Sequence, residues 1–164
     1  MIIKEIQNRR SVRSFKENPV SEDQILEIIK AGQFAPSAKG NHKIEFIVVK
    51  NQETKNKICD VLGQEFVKEA QVLIVPVVGK NNSVLPVQDL SVASENMLLQ
   101  VDALGLGSVW KNVREELRGE VGKILNLPED HLLINMLPVG VPAEKPSPHT
   151  EIDFSKEKIH FEKW

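Results

Sequence analysis

The segment VQDLSVASENMLLQVDALGLG, residues 87–107, constrains the fold of this chain more than any other. Apolar side chains recur along it at steps of three and four residues, which is the spacing of one face of an α-helix. These side chains are Leu90, Ala93, Met97, Leu98, Val101 and Leu104. The pattern predicts a long helix in the core. Gly105 is a natural end for this helix because glycine suits the left-handed position that follows many helices.

Two apolar runs predict buried strands. IEFIVVK, residues 44–50, is β-branched and almost continuously apolar, which is typical of a strand covered on both faces. VLIVPVVG, residues 72–79, predicts a second buried strand. Because Pro76 cannot donate a ladder hydrogen bond, we expect a sheet edge or a bulge at that point. Two further strands are expected at 108–110 and 132–142.

Four more helices are predicted. The best marked of them begins at Ser21, which can form a capping box with Gln24, and ends before Pro36. Strict βαβ alternation is absent, and no GxGxxG motif follows a strand, so we predict an α+β fold. The other helices are expected at 3–9, 52–69 and 113–125, with a break at Gly63 as the alternative to one continuous helix over 52–69. A short extended C-terminal arm is expected at 158–164.

The length and the single cysteine suggest the setting of the protein. A chain of 164 residues can bury a sizeable core, and we predict one domain over 1–164. Cys59 has no second cysteine to pair with, which fits a reducing compartment. No apolar run approaches the ~20 residues of a membrane span, and MIIKEIQNRR lacks the apolar stretch of a signal peptide. We therefore expect a cytoplasmic protein that does not enter a membrane.

The start of the chain is locally basic although the net charge of the whole chain is −2. Three arginines lie in NRRSVRSF, residues 8–15, and an arginine guanidinium suits phosphate because it offers a planar fork of donors. In a helix Arg9 and Arg13 would point the same way, whereas in an extended chain Arg9, Ser11 and Arg13 would share one side. Both geometries predict a site for a specific anion. The alternative is a solvated basic helix end.

Other classes of function are disfavoured. A pI near 6.1 and the absence of tyrosine argue against a nucleic-acid binder, which usually needs a broad basic face and stacking aromatics. The four histidines lack HxH or HxxxH spacing, so we expect no metal site. Cys59 lies among apolar neighbours and is expected to be a small core residue rather than a nucleophile. No GxSxG elbow is present.

Four blocks of the sequence, in order, resemble the nitroreductase-like flavoprotein family. IQNRRSVRSFKENPVSEDQILEIIKAGQFAPSAKG is similar to the family's arginine-rich opening, PV turn, helix and APS turn. QDLSVASENMLLQVDALGLGSVW resembles its buried central helix and GLG turn. LPVGVPAEKP resembles its late strand with a GxPxE turn, and IHFEKW resembles its usual ending. Each block alone is a weak signal, but together and in order they cover most of the chain.

The resemblance implies a fold and a function. It implies a three-layer α-β-α sandwich around a small, mostly antiparallel sheet, in an intertwined homodimer whose arm 152–164 reaches onto the partner subunit. Members bind FMN at the dimer interface, take hydride from NADH or NADPH, and pass electrons to nitroaromatics, quinones or other flavins by a ping-pong route. We therefore predict an FMN-dependent NAD(P)H oxidoreductase. The alternatives are a non-catalytic FMN-binding or flavin-delivering protein, and a phosphate or nucleic-acid module built on the arginine cluster.

The family motifs also imply site residues. The segment Arg9–Arg13 would supply phosphate, ribityl and pyrimidine-edge ligands, and the APS turn would approach the flavin from the other subunit. Backbone after the GLG turn would bond flavin N5, although plain core is the alternative for Trp110. The implied cofactor-binding residues are Arg9, Arg10, Ser11, Arg13, Pro36, Ser37, Ala38, Trp110, Lys111, Asn112, Lys145 and His149.

Two departures from the family pattern affect these assignments. In the common APSxxNxQPW stretch, Gly40 takes the Asn position and His42 the Gln position, while Asn41 matches the Asn after a one-residue shift. We assign Gly40, Asn41 and His42 to the substrate, with a surface loop histidine as the alternative for His42. Glu151 stands where a phosphate-binding Arg is common, so Lys145 or His149 is expected to replace it. The physiological acceptor and the choice between NADH and NADPH stay open.

Overall fold

The computed structural model describes all residues, 1–164, as a mixture of short strands and helices. Single-turn 3₁₀ helices cover Ala38–Gly40, Glu151–Asp153 and Lys156–Lys158. The α-helices are α1 Lys4–Asn8, α2 Glu22–Gln33, α3 Gln52–Leu62, α4 Phe66–Glu69, α5 Pro86–Ala103 and α6 Glu115–Ile124. The strands are β1 Glu45–Val49, β2 Val72–Gly79, β3 Gly107–Ser108, β4 Lys111–Asn112, β5 His131–Leu132 and β6 Asn135–Gly140.

The six strands form one small sheet in which every strand pairing is antiparallel. The order is β1-β2-β6-β3, while β4 also pairs with β6 and β5 with β2. Outside the strands, Ser11 bridges Ser108 in parallel and Phe15 bridges Pro142. The N-terminal arginine segment therefore lies along the outer edge of β3.

The sheet separates two apolar layers because the side chains of β2 alternate between its faces. Val72 and Ile74 pack with α2 and α5, whereas Leu73 and Val75 pack with α3 and α6. Helices thus cover both faces of a small antiparallel sheet. The predicted α+β fold, a three-layer α-β-α sandwich, is confirmed. No helix is both long and apolar enough to cross a membrane.

Several local predictions were wrong. Strand β1 is not covered on both faces, because it lies at the edge of the sheet with Glu45 and Val48 exposed. Pro76 lies in the central strand β2, where its register partner on β1 is Phe46, so the expected edge is wrong. The alternative expectation, a bulge, agrees with the register on the other side, because the four steps from Ile74 to Val78 face the five from Leu137 to Leu132. On its other side, β6 pairs only as far as Ile74 and β5 resumes at Val78. A missing N–H is tolerated in that gap because no ladder partner stands there.

The boundaries of other elements also differ from the sequence-based expectation. The long helix ends at Ala103. Gly105 follows with φ +71°, the left-handed conformation expected of a glycine that ends a helix. The helix expected over 52–69 is broken at Gly63, the break considered from the sequence, because Gly63 takes the left-handed conformation between α3 and α4. The expected strand 108–110 is split into β3 and β4, with Trp110 between them. Two single turns, Glu151–Asp153 and Lys156–Lys158, precede the end of the chain, and residues 159–164 form neither helix nor strand.

Candidate functional site

The arginine segment, defined as residues 9–13, is extended rather than helical. The backbone N–H of Val12 donates to the carbonyl oxygen of Ser108 at 2.8 Å, and beyond the segment Lys16 N–H donates to Val141 at 2.8 Å. Val12 is buried, whereas Ser11 and Arg13 on either side of it are exposed. Over residues 11–13 this alternation is that of a strand, so Val12 anchors the segment while Ser11 and Arg13 face outward.

Two glycines allow the arginine segment and Phe15 to pack closely against the sheet. Gly107 and Gly140 are register partners on β3 and β6. A Cβ atom on Gly107 would lie 2.8 Å from Cγ1 of Val12, and one on Gly140 would lie 2.8 Å from Cδ1 of Phe15. Real Cβ atoms do not approach carbon so closely. Val12 and Phe15, on either side of Arg13, can therefore pack here only because the residues beneath them are glycines.

The three arginines differ in what they already contact. The Nε atom of Arg9 lies 3.8 Å from Oε1 of Glu95 on α5, and both side chains are partly solvated. The Nη1 atom of Arg10 donates to the backbone carbonyl oxygen of Ser147 at 2.9 Å, which ties the C-terminal segment to this edge. The guanidinium of Arg13 has neither an ion pair nor a hydrogen bond within the chain. Arg13 and Arg9 therefore have the most donors free for an anion.

Two clefts of about 510 Å³ each flank Arg9. One is lined by Arg10, Lys145 and Asp102, and burial together with nearby Glu5 raises the pKa of the Asp102 carboxyl. The other is lined by His149, Glu95 and Glu151, among others. Arg9 thus lines both clefts, one together with Lys145 and the other together with His149.

The C-terminal segment is tied to α1 by its backbone. The N–H of His149 donates to the carbonyl oxygen of Gln7 at 2.8 Å. The Nδ1 atom of His149 lies 3.3 Å from Oδ2 of Asp153, and hydrogen bonds from the Thr150 backbone and the His149 side chain lower the pKa of Asp153. Glu151, which takes the position of the expected arginine, lies in the same cleft. His149 is therefore the base on this side that could offset it.

Residues 110–112 continue the chain from β3 along the same partner strand, because β3 and β4 both pair with β6. Trp110 packs against the cluster under α2 and α5 and also against Leu90 and Ile134. Lys111 donates from Nζ to the carbonyl oxygen of Asn112 at 3.0 Å. Burial, and then the charge of Arg114, lower the pKa of Lys111.

The loop of residues 36–42 is held in place by hydrogen bonds to residues outside the loop. The backbone N–H of Ala38 donates to Oδ1 of Asp89 on α5 at 2.8 Å, and Nδ2 of Asn41 donates to the carbonyl oxygen of Asn82 at 2.8 Å. Inside the loop, the N–H of His42 donates to Oγ of Ser37 at 2.9 Å. No hydrogen bond or ion pair joins this loop to the arginine segment within one chain. The expectation that the two sets meet through a second subunit stays a prediction.

Two buried polar atoms have no partner in the chain. They are Oδ1 of Asn41 and Oγ of Ser108. Since an unsatisfied buried polar atom costs about 1–3 kcal/mol, such atoms usually have a ligand or water beside them. Asn41 belongs to the predicted substrate loop, and Ser108 is the bridge partner of Ser11. Each atom therefore marks a predicted site segment as able to bind a hydrogen-bonding ligand.

Sequence reasoning missed several polar residues that organise these segments. Asp89 and Ser83 are buried and hydrogen-bonded to each other, and Ser94 on α5 forms a buried pair with Asn135 on β6. The signal was present, because Asp89 and Ser94 interrupt the apolar face of the long helix at helical spacing. A polar residue on a core face needs a buried partner, which the sequence alone does not identify.

The remaining candidates have simple surroundings. Cys59 is buried in the core, and burial is the main cause that raises the pKa of its thiol, so the expected core role is confirmed. His42 is exposed, and its φ of +45° is left-handed. Across the whole chain, no three His, Cys, Asp or Glu side chains stand close enough together to hold a metal ion.

Comparison with known proteins decides the family. The model of the nitroreductase family matches residues 6–82 and 59–141, which together span most of the chain. A protein of Methanothermobacter thermautotrophicus, provisionally named an NADH dehydrogenase/NAD(P)H nitroreductase, is 35% identical over 99% of this chain and 87% of its own length. The chain belongs to the nitroreductase family.

Solved structures of similar proteins agree with this nitroreductase-family fold. A protein of Parabacteroides distasonis with the same provisional name has a TM-score of 0.92 and 33% identity, over 98% of this chain and 97% of that one. The FMN-dependent nitroreductase of Clostridium difficile has a TM-score of 0.94 and 29% identity, over 99% of this chain and 100% of that one.

Within this nitroreductase-family chain, the altered 39–44 stretch has an unusual backbone. Lys39, Gly40 and His42 all have positive φ values, and two of these residues are not glycine. Asn41, between them, points its amide nitrogen at Asn82 and leaves its oxygen buried without a partner. The family pattern has its asparagine at the position of Gly40. Here the amide oxygen comes instead from the next residue, Asn41.

Proposed function

We propose that this chain is an FMN-dependent oxidoreductase that takes hydride from NAD(P)H and passes electrons to a nitroaromatic, a quinone or a similar small acceptor. That it is an NAD(P)H-dependent flavin oxidoreductase follows from its family and from relatives named NAD(P)H nitroreductase and FMN-dependent nitroreductase. The observation that carries the proposal is the arginine segment, which is held extended along the sheet edge with Ser11 and Arg13 facing outward.

The residues of this edge fit a phosphate-bearing flavin. Arg9 and Arg13 would pair with its phosphate and pyrimidine edge, since guanidinium groups bond oxyanions in a fork. Ser11 would add a hydroxyl. Lys145 and His149, which each line a cleft with Arg9, are the bases that would replace the missing C-terminal arginine. Arg10 is engaged with Ser147, so it would act mainly by holding the C-terminal segment in place.

The other parts of the site would come from the turn after β3 and from a second subunit. Backbone at Trp110, Lys111 and Asn112 would orient the flavin ring, and the positive charge of Lys111 would favour an electron-rich ring beside it. Pro36, Ser37 and Ala38 of the partner subunit would cover the ring. When bound, FMN accepts hydride at N5 and returns the electrons to the acceptor, so the protein need only bind, orient and shield it.

A homodimer is part of this proposal. Ile2, Ile3 and Ile6 expose an apolar face at the start of the chain, which a monomer rarely leaves uncovered. The C-terminal arm is also apolar and exposed, with Phe161 at 87% and Trp164 at 101% exposure. Packing of the arm 152–164 onto the partner would cover both. A cytoplasmic location stays a prediction.

The test is an absorbance spectrum of the purified protein, titrated with FMN and then with NADH and NADPH under argon. Flavin bands that appear on FMN binding and bleach with either nicotinamide support the proposal, and acceptors can then be compared. Bands that persist with both nicotinamides would instead support a non-catalytic FMN-binding or flavin-delivering protein. Protein that takes up no FMN would contradict both.

Glu95 should weaken anion binding at Arg9, because its carboxylate competes for the same guanidinium. We expect Glu95→Gln to bind FMN about twofold to fivefold more tightly, which corresponds to the modest value of a partly solvated ion pair. Fluorescence quenching of FMN measures the affinity. Glu53→Gln removes the same charge from an ion pair with Lys57 on α3 and serves as the matched control. Weaker binding in Glu95→Gln alone would show that Glu95 supports the site.

A further inference from the structure

Asp89 is a buried carboxylate that no cation neutralises. It lies in the first turn of α5 with 5% of its surface exposed, and no Lys, Arg or His pairs with it. Its Oδ1 atom accepts the backbone N–H of Ala38 at 2.8 Å, and its Oδ2 atom accepts the hydroxyl of Ser83 at 2.5 Å. A charge so placed is costly unless its hydrogen bonds are kept, so both contacts should be firm.

Ser83 extends this contact into a second loop. Its Oγ atom accepts the backbone N–H of Leu85 at 3.0 Å while its hydroxyl donates to Asp89. One residue earlier, the carbonyl oxygen of Asn82 accepts Nδ2 of Asn41. Two loops, 36–42 and 82–85, are therefore joined to each other and to the start of α5. We call Asp89, Ser83 and the Ala38 N–H the Asp89 clasp.

The 36–42 loop needs such contacts because two of its residues have unfavourable backbone dihedral angles. Lys39 has φ +57° and His42 has φ +45°, and few non-glycine residues occupy this region, although His, Asn and Asp enter it more often than Lys does. Only one hydrogen bond within the loop involves a side chain: the backbone N–H of His42 donates to Oγ of Ser37. The ties to Asp89 and Asn82 are thus what fixes where its predicted flavin and substrate residues stand.

We infer that Asp89 is a positioning residue for the site. Through the Ala38 N–H it sets the place of Pro36–Ala38, and through Ser83 it sets the 82–85 loop that holds Asn41. This inference rests on the proposed function, because it gives the loop a flavin and an acceptor to face. It adds a residue that touches neither of them and acts only through the loops.

The first measurement is amide hydrogen exchange of the FMN-free protein, which needs no activity. Asp89→Ala should speed exchange of the Ala38 N–H about tenfold or more, because the amide loses its acceptor. Asp89→Asn should restore most of the protection, since its amide oxygen can still accept this bond. Ser83→Ala keeps the Ala38 bond and should loosen residues 82–85 and Asn41. Ser91→Ala is the matched control, because the Ser91 hydroxyl bonds only Val87 within α5.

The second measurement is the FMN dissociation constant, together with steady-state kinetics using 1,4-benzoquinone as the acceptor. Asp89→Ala should lower kcat/KM for the quinone about tenfold to a hundredfold, mainly through KM, because a misplaced loop no longer orders the site. Ser83→Ala should show a smaller effect of the same kind. Asp89→Asn and Ser91→Ala should stay near the wild-type values.

The outcomes separate the inference from the proposed function. Unchanged Ala38 exchange in Asp89→Ala overturns the clasp, and faster exchange with unchanged FMN affinity and kinetics overturns the positioning role. If Asp89→Ala does not fold, Ser83→Ala decides instead: unchanged exchange of the Leu85 N–H, which loses its Ser83 acceptor, overturns the clasp, and faster exchange there with unchanged FMN affinity and kinetics overturns the positioning role. If the wild-type protein takes up no FMN, the proposed function fails and the positioning role fails with it, although the exchange data still report whether the clasp exists.

Discussion

Arg13→Gln should weaken FMN binding by about tenfold to a hundredfold while leaving the fold intact. A hydrogen bond to a charged group contributes about 1.5–3 kcal/mol, and each 1.4 kcal/mol is a factor of ten in affinity. The guanidinium of Arg13 is exposed and has no partner within the chain, so its loss removes no contact that stabilises the monomer. The free energy of unfolding should therefore change by less than about 0.5 kcal/mol.

Fluorescence quenching of FMN at two salt concentrations measures the FMN affinity, and urea unfolding measures the free energy of unfolding. Arg13→Lys should recover only part of the affinity, because an ammonium group cannot form the planar fork of a guanidinium. Arg9→Gln should act in the same direction as Arg13→Gln. Lys57→Gln, which removes an exposed charge on α3, is the control for net charge. If Arg13→Gln and Lys57→Gln bind FMN equally well, Arg13 lies outside the site.

The elements that the sequence predicts well are those whose signal is local. The long helix was found because its apolar stripe repeats over many turns, and Ser21 forms the capping box expected of it with Gln24. Gly63 and Gly105 mark real helix ends because a positive φ is a property of the residue itself. These features need no knowledge of where another segment lies.

The features that the sequence could not supply depend on distant neighbours. Whether β1 lies at an edge is decided by sheet order, and Pro76 is tolerated at the centre because two short partner strands leave a gap beside it. The arginine segment had two possible geometries. Its pairing with Ser108, almost a hundred residues away, decides for the extended one.

The residues of the candidate site likewise fall into those that the sequence identifies and those that only the fold reveals. Family motifs identified the arginine segment and the 36–42 loop, yet the residue that anchors the loop, Asp89, belongs to a helix read only as core. The sequence showed an acidic residue near the start of a helix, which the helix dipole alone would explain. Only the fold shows that both carboxylate oxygens are engaged by loops.

The pair Gly107 and Gly140 should be as sensitive to substitution as any position in the core. In Gly140→Ala the new Cβ would lie 2.8, 3.1 and 3.2 Å from Cδ1, Cγ and Cβ of Phe15. Since the nearest atoms include the stem of the ring, Phe15 must move together with its backbone, and overpacking of this kind costs about 1–3 kcal/mol. Gly107→Ala should act likewise through Val12.

The same substitutions should also weaken FMN binding, because Val12 and Phe15 hold the backbone on both sides of Arg13. Urea unfolding and FMN titration measure the two effects. Gly119→Ala is the matched control: its Cβ would meet nothing within 4 Å on α6, and we expect a gain of about 0.5–1 kcal/mol from the lost backbone freedom. A double-mutant cycle with Phe15→Ala isolates the clash, which should largely disappear when the ring is absent. Equal effects of Gly140→Ala with and without the ring would show that the glycine is needed for its backbone rather than as the seat of Phe15.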